Sequence, residues 1–206
     1  MLPHHIINGP KEASLSIALA HGAGAPMDSH FMTSFSESLG AEGFRVLRFE
    51  FPYMTKQRIT RRKIPPDRTP VLINAWREVI AMMGPENLVI GGKSLGGRMA
   101  SMIADEARVR GLVCLGYPFH VPGKLIKSER TAHLKHLQTP SLFCQGTRDN
   151  LGNKEDVKNY NLSRSIILHW LEDGDHSFKP RKASGLTEYG NWQNAIEKII
   201  KFLRTL

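Results

Sequence analysis

Gly92-Lys93-Ser94-Leu95-Gly96 is the segment whose residue types and spacing point most directly to chemistry. Glycine, any residue, serine, any residue, glycine is the pattern of a nucleophile elbow, a tight turn between strand and helix that presents one serine. Glycines suit the flanking positions because a side chain there would strike the neighbouring backbone. A helix beginning after Ser94 aims its N-terminus at the site and favours negative charge there. A serine hydroxyl is a weak nucleophile at neutral pH; it needs a base, and the base needs an orienting acid. Asp149, in Gln145-Gly146-Thr147-Arg148-Asp149, and His176, in Asp173-Gly174-Asp175-His176, each follow an apolar run that reads as a strand. Asp173 and Asp175 compete as the acid, but they stand too close in sequence to His176 to reach it from another strand.

An oxyanion formed at Ser94 requires two backbone donors. Leu95, directly after the serine, supplies one amide. The other is expected from the loop after the third strand, where the turn His21-Gly22-Ala23-Gly24 offers Ala23. Gly24, Lys93, Arg98 and Tyr117 are substrate-binding candidates around these groups. Cys114 and Cys144 fall inside apolar segments, which disfavours a thiol nucleophile and reads as two buried, reduced cysteines. No His or Cys stands near them at zinc spacing. The chemistry therefore calls for no metal and no organic cofactor.

These groups need a scaffold that gathers strand ends. Apolar runs at 15–20, 44–51, 88–92, 111–116, 141–145 and 165–171 read as strands. Between them lie helical periods, clearest in Phe31, Phe35 and Leu39, in Leu72, Trp76, Val79 and Met83, and in Trp192, Ile196, Ile199 and Leu203. Strands apolar on both faces, alternating with amphipathic helices, predict an α/β domain with a mostly parallel sheet covered on both sides. The carboxyl ends of such strands share one edge, where Ser94, Asp149 and His176 can meet. No repeat or linker interrupts residues 1–206, so one domain is expected.

Composition narrows the setting. The 206 residues carry 28 Lys and Arg against 19 Asp and Glu, a formal charge of +9, and 41% are hydrophobic. That is too apolar for a disordered chain. No apolar run approaches the roughly 18–20 residues that span a bilayer, and the N-terminus lacks a secretory pattern, so a cytoplasmic protein is expected. The basic excess concentrates at 56–68, 124–135 and 179–182, each after a predicted strand. The expectation is a positive rim around the site, with Lys93 and Arg98 adding to it, that steers an anionic substrate or an acidic partner. The connection from Gly116 to Ser141 is too short for a large lid domain. An open site for short or polar acyl groups follows, with the basic 56–68 loop as a mobile cover.

On H-G-A-G-A-P at 21–26, G-G-K-S-L-G-G-R at 91–98, G-Y-P-F-H at 116–120 through R-T-A-H-L at 130–134, G-T-R-D at 146–149 and G-D-H-S-F at 174–178, the chain resembles the α/β-hydrolase superfamily. The likeness runs from Leu15 to the C-terminus. Within the superfamily it is similar to a small group of testis-expressed hydrolase-like proteins and the hydrolase-like domain of a histone-acetyltransferase-complex subunit, and distantly to dienelactone hydrolases, which use cysteine where this chain has Ser94. The resemblance implies a Ser94-Asp149-His176 triad and a single-domain hydrolase fold. The expected function is hydrolysis of an ester or thioester, with a small-molecule substrate, anionic ones included, and no membrane partner. The alternative is a weakly catalytic or non-catalytic hydrolase-fold module that binds an acidic partner. Nucleic acid is disfavoured because the basic segments lack interleaved aromatics or a reader motif. The oligomeric state is left open.

Overall fold

The apolar runs join edge to edge in the computed structural model, which describes residues 3–122 and 130–206. Strands β1 (His5–Asn8), β2 (Ser16–Ala20), β3 (Arg45–Phe49), β4 (Leu88–Lys93), β5 (Gly111–Leu115), β6 (Ser141–Gly146) and β7 (Ile166–Leu171) form one sheet in the order β1-β3-β2-β4-β5-β6-β7. Only β1 runs antiparallel to its neighbour. Helices α1 (His30–Ala41), α2 (Pro52–Thr60), α3 (Thr69–Met83), α4 (Leu95–Ala107), α5 (Lys154–Val157) and α6 (Glu188–Leu203) complete the alternation.

Successive strand residues point to opposite faces, so a sheet covered on both sides needs apolar residues at every position. One core unites Ala18, Leu47, Ile90, Leu112 and Phe143 with Trp76 of α3 and Met99 and Ile103 of α4. The other unites Ile17, Val46, Val89, Val113 and Leu142 with Phe35 of α1 and Trp192 and Ile199 of α6. Each large side chain so buried contributes about 1.5–3 kcal/mol. Cys114 and Cys144 belong to different cores, one on each face, and both are free thiols. Burial pushes the Cys144 thiol up to about 12, so neither is a nucleophile at neutral pH. Among the described residues there is no lid domain between β5 and β6; a short 3-10 helix, Ala132–Lys135, stands there. Residues 124–129 of the predicted basic segment lie outside the described residues.

Two elements differ from the sequence reading. The edge strand β1 was not expected, and the turn carrying Ala23 consequently follows the second strand in sequence, which is third in spatial order. The basic stretch predicted as a mobile loop begins as helix: α2 extends through Thr60. Pro52 opens it with a preset φ, and tertiary contacts hold it. Arg58 Nε donates to both oxygens of Glu50, at 3.1 and 3.2 Å, and the guanidinium also engages Asp28. The Glu50 side chain is 0% exposed. Beyond the helix, Ile64 N donates to Gln57 Oε1 at 3.0 Å and Tyr53 N to Asp67 Oδ2 at 2.9 Å, which fastens 61–67 back onto α2. Among the described residues no helix is long and apolar enough to cross a membrane.

Removing Arg58 would leave a buried carboxylate without its main counter-charge. Arg58→Ala is expected to lower unfolding free energy by about 1–3 kcal/mol in urea titrations. Adding Glu50→Gln should recover part of that loss, and additive losses in the double variant would contradict this account.

Candidate active site

The elbow forms where β4 runs into α4. Ser94 has φ 50 and ψ −112, a conformation that costs a side-chain-bearing residue about 1–3 kcal/mol. The strain is held from both sides: Ser94 N donates to Leu115 O at 3.0 Å, and Arg98 N to Ser94 O at 2.9 Å. Two glycines make the turn possible. A Cβ at Gly92 would lie 2.1 Å from the carbonyl oxygen of Ala20, and one at Gly96 2.3 Å from the same atom. Leu95 is the first residue of α4, so its amide is one of the first-turn donors that no helical carbonyl can reach.

Asp149 and His176 are brought together by the turns after β6 and β7. His176 Nδ1 bonds Asp149 Oδ2 at 2.7 Å, and the Asp149 side chain is 0% exposed. With Nδ1–H donating to the carboxylate, Nε2 is left as the basic nitrogen. Both carboxylate oxygens accept further bonds: Gln145 Nε2 donates to Oδ2 at 2.8 Å, and Leu151 N to Oδ1 at 2.9 Å. Gln145 in turn accepts from Tyr117 N at 2.7 Å and donates to Gly152 O at 3.0 Å. Sequence reasoning gave Gln145 no role, although a buried amide at the end of an apolar strand was the available signal. The competing acids are committed elsewhere. The Arg181 guanidinium holds the Asp173 carboxyl down at about 2, and Asp175 Oδ1 accepts the amides of Ser177 and Lys179.

Ser94, His176, Ala23, Gly24 and Lys93 line one cavity of about 350 Å³, with Phe31 and Met32 among its apolar walls. The turn bearing Ala23 is braced from beneath. His21 Nδ1 donates to Gly22 O at 2.7 Å while its Nε2 accepts from Phe51 N at 3.1 Å, which fixes the tautomer. Burial lowers the His21 pKa and favours that neutral ring. The Tyr53 hydroxyl donates to Ala23 O at 3.2 Å. His21 and Tyr53 are thus supports of the turn that the sequence did not reveal as such.

Two substrate-binding candidates fall elsewhere. The Tyr117 ring is wholly buried, stacked on Phe143 at 5.0 Å between centroids, with its hydroxyl donating to Arg130 O at 2.7 Å. Gly116, at φ 64, turns the chain so that this side chain enters the core. Arg98 lies on α4 and is not among the residues lining the cavity. Among the described residues no group of three or more His, Cys, Asp and Glu side chains could hold a metal ion.

Lys93 lines the cavity as a buried ammonium. Its Nζ donates to His176 O at 2.7 Å and lies 5.6 Å from the Phe31 ring centroid. Burial depresses its pKa to about 8, against the pull of Asp149 and Asp175. Below pH 8 the group is charged in both folded and unfolded chains. From about 8 to the ordinary value of 10.5, the folded chain has released a proton that the unfolded chain retains, so folding becomes more favourable as pH rises. The stability of the parent relative to Lys93→Met should therefore rise by up to about 1.4 kcal/mol per pH unit across that window. Urea titrations of both proteins from pH 7 to 10 test this, and a flat difference would contradict it.

Residues 13–204 match the family described as an α/β-hydrolase domain. Among solved structures, the chain is similar to an α/β serine hydrolase homologue from Coxiella burnetii, with a TM-score of 0.71 and 19% identity over 98% of this chain and 90% of that one. It is similar to an α/β serine hydrolase without a lid from Xanthomonas campestris, with a TM-score of 0.62 and 19% identity over 94% and 88%. It also resembles a dienelactone hydrolase from Anabaena variabilis, with a TM-score of 0.67 and 21% identity over 94% and 88%. At these identities the likeness is one of fold. Because the family match takes in every strand from β2 to β7 and the whole of α6, the chain belongs to the α/β-hydrolase family.

Proposed function

We propose that this protein is a serine hydrolase of ester or thioester bonds. The observation that carries the reading is the 2.7 Å bond between His176 and a fully buried Asp149, on a ring that shares a cavity wall with the strained Ser94. Ser94 Oγ attacks the substrate carbonyl as His176 Nε2 takes its proton. The Leu95 and Ala23 amides receive the developing oxyanion. His176 returns the proton to the departing alcohol or thiol, which leaves an acyl ester on Ser94. Water, deprotonated by the same nitrogen, then attacks that ester and releases the acid, and Ser94 regains its proton. Asp149 holds the imidazole tautomer throughout.

The small, largely apolar cavity and the absence of a lid among the described residues favour short or polar acyl groups, and the basic segment beside it favours anionic ones. The narrower resemblance to the testis-expressed hydrolase-like group is compatible with this chemistry and names no substrate.

A fluorophosphonate probe should label the parent and leave Ser94→Ala unlabelled. Asp149→Asn, which favours the wrong imidazole tautomer, should lower kcat on an activated ester by about 10⁴-fold. A parent protein that takes no label would sink the hydrolase reading and favour a binding module with the same fold.

A further inference from the structure

The turn that carries Ala23 and Gly24 has cavities on two sides. One is the cavity over Ser94. The other is a groove of about 710 Å³ bounded by Ala23, Gly24, α2 and the segment after it. Its apolar surface comes from Pro26, Met54, Ile64, Pro65 and Pro66, and its charge from Arg58, Arg61, Arg62 and Lys63. Among the described residues no carboxylate lines it. Arg58 is already neutralised by Glu50 and Asp28. Arg61, Arg62 and Lys63 form no ion pair among the described residues, although all three are exposed and consecutive.

These three cations sit on a constrained segment. Arg61 turns the chain at φ 55 with its amide on Gln57 O at 2.8 Å, and Ile64 N and Asp67 fasten the residues that follow. Three like charges in sequence repel one another unless an anion sits among them. Guanidinium groups present planar paired donors that suit carboxylate or phosphate oxygens. The apolar surface between the charges and Ala23 suits a carbon chain.

Polarity of the reaction tells which arm of a substrate would reach this groove. His176 must protonate the leaving group, and His176 and Ser177 line the cavity over Ser94 and are not among the residues lining the groove. The groove shares Ala23 and Gly24 with that cavity and is not lined by Ser94 or His176. We infer that the acyl arm of the substrate crosses this turn and ends in an oxyanion headgroup held by Arg61, Arg62 and Lys63. The substrate class is then an ester or thioester of an ω-carboxylated or ω-phosphorylated acid, with the carbon chain on Ile64, Pro65 and Pro66. This rests on the serine-hydrolase reading and adds the identity of the acyl group.

The test uses p-nitrophenyl hemiesters of adipate, suberate and azelate, the same esters capped as methyl esters, and a p-nitrophenyl ω-phosphonoacyl ester. At low salt the parent should prefer the anionic esters by about tenfold or more in kcat/KM, chiefly through KM, and lose that preference as salt rises. The carboxylate and phosphonate arms decide which headgroup is held. Arg62→Glu/Lys63→Glu should reverse the ratio of anionic to capped turnover. The same change of net charge at Lys11 and Lys201, which line neither cavity, should leave the ratio in place. A parent that labels with fluorophosphonate and hydrolyses the capped esters yet shows no anion preference would overturn this inference and leave the hydrolase reading standing. Equal effects of the two double variants would also overturn it, by tracing the preference to net charge. No labelling and no turnover would remove both.

Discussion

One backbone carbonyl sets the spacing of this site. The oxygen of Ala20, at the end of β2, is the atom that a Cβ on Gly92 or Gly96 would strike, at 2.1 and 2.3 Å. Ala20 is also the residue before His21, from which the turn bearing Ala23 departs. The same contact therefore holds the turn of Ser94 and the turn of Ala23 at a fixed separation, without a side chain between them. Catalytic groups must be placed within a fraction of an ångström of their productive geometry. Close backbone packing supplies that tolerance better than any pair of flexible side chains could. The parallel pairing of β2 with β4, register Ala20 to Gly92, makes the approach possible.

The other half of the site depends on hydrogen bonds instead of contact. From the backbone of Tyr117 after β5, through Gln145 at the end of β6, the polar chain reaches Asp149 and then His176 after β7; Lys93 of β4 closes it on the His176 carbonyl. Each such bond adds only about 1 kcal/mol net, whereas a buried donor or acceptor left unmade costs about 1–3 kcal/mol. Such a network consequently does less to stabilise the fold than to exclude other arrangements of it. Gln145 is central because its one amide bonds three neighbours, Tyr117 N, Asp149 Oδ2 and Gly152 O, and a carboxylate in its place would repel Asp149.

How much of this was legible in the sequence follows from what fixes each residue. Ser94, Asp149 and His176 could be singled out because the chemistry proposed for them depends on residue type and on following a strand, and the structure lines one cavity with Ser94 and His176 and bonds His176 to Asp149. The two-sided core was legible because every strand position had to be apolar. Gln145 and His21 escaped as functional supports because their parts depend on which atoms face which neighbours, and no spacing rule encodes that. The structure buries the Tyr117 ring against Phe143 after a turn at Gly116 with φ 64, a placement that residue type alone does not announce. Helix α2 escaped because its charged run has no strong apolar stripe; contacts from Arg58 to Glu50 and Asp28, distant in sequence, hold it in place. The short strand β1 exists only as a partner for β3.

The charge of the chain shows the same dependence on context. A formal +9 describes every cation alike, yet Arg58 faces Glu50 and Asp28, Arg181 faces Asp173, and Lys93 is buried against the His176 carbonyl. At about 0.1 M salt, exposed charges farther apart than about 10 Å hardly sense one another. A substrate at the site therefore responds to the few cations within that distance that lack a carboxylate of their own, and only weakly to the molecule's total. Arg61, Arg62 and Lys63 form no ion pair among the described residues; they share a groove with the Ala23 turn, while Asp67, the next acid in sequence, is spent on the amide of Tyr53. The anion selectivity proposed for this segment thus depends on how α2 is anchored, and a sequence with the same net charge and no such anchor would not place these cations together.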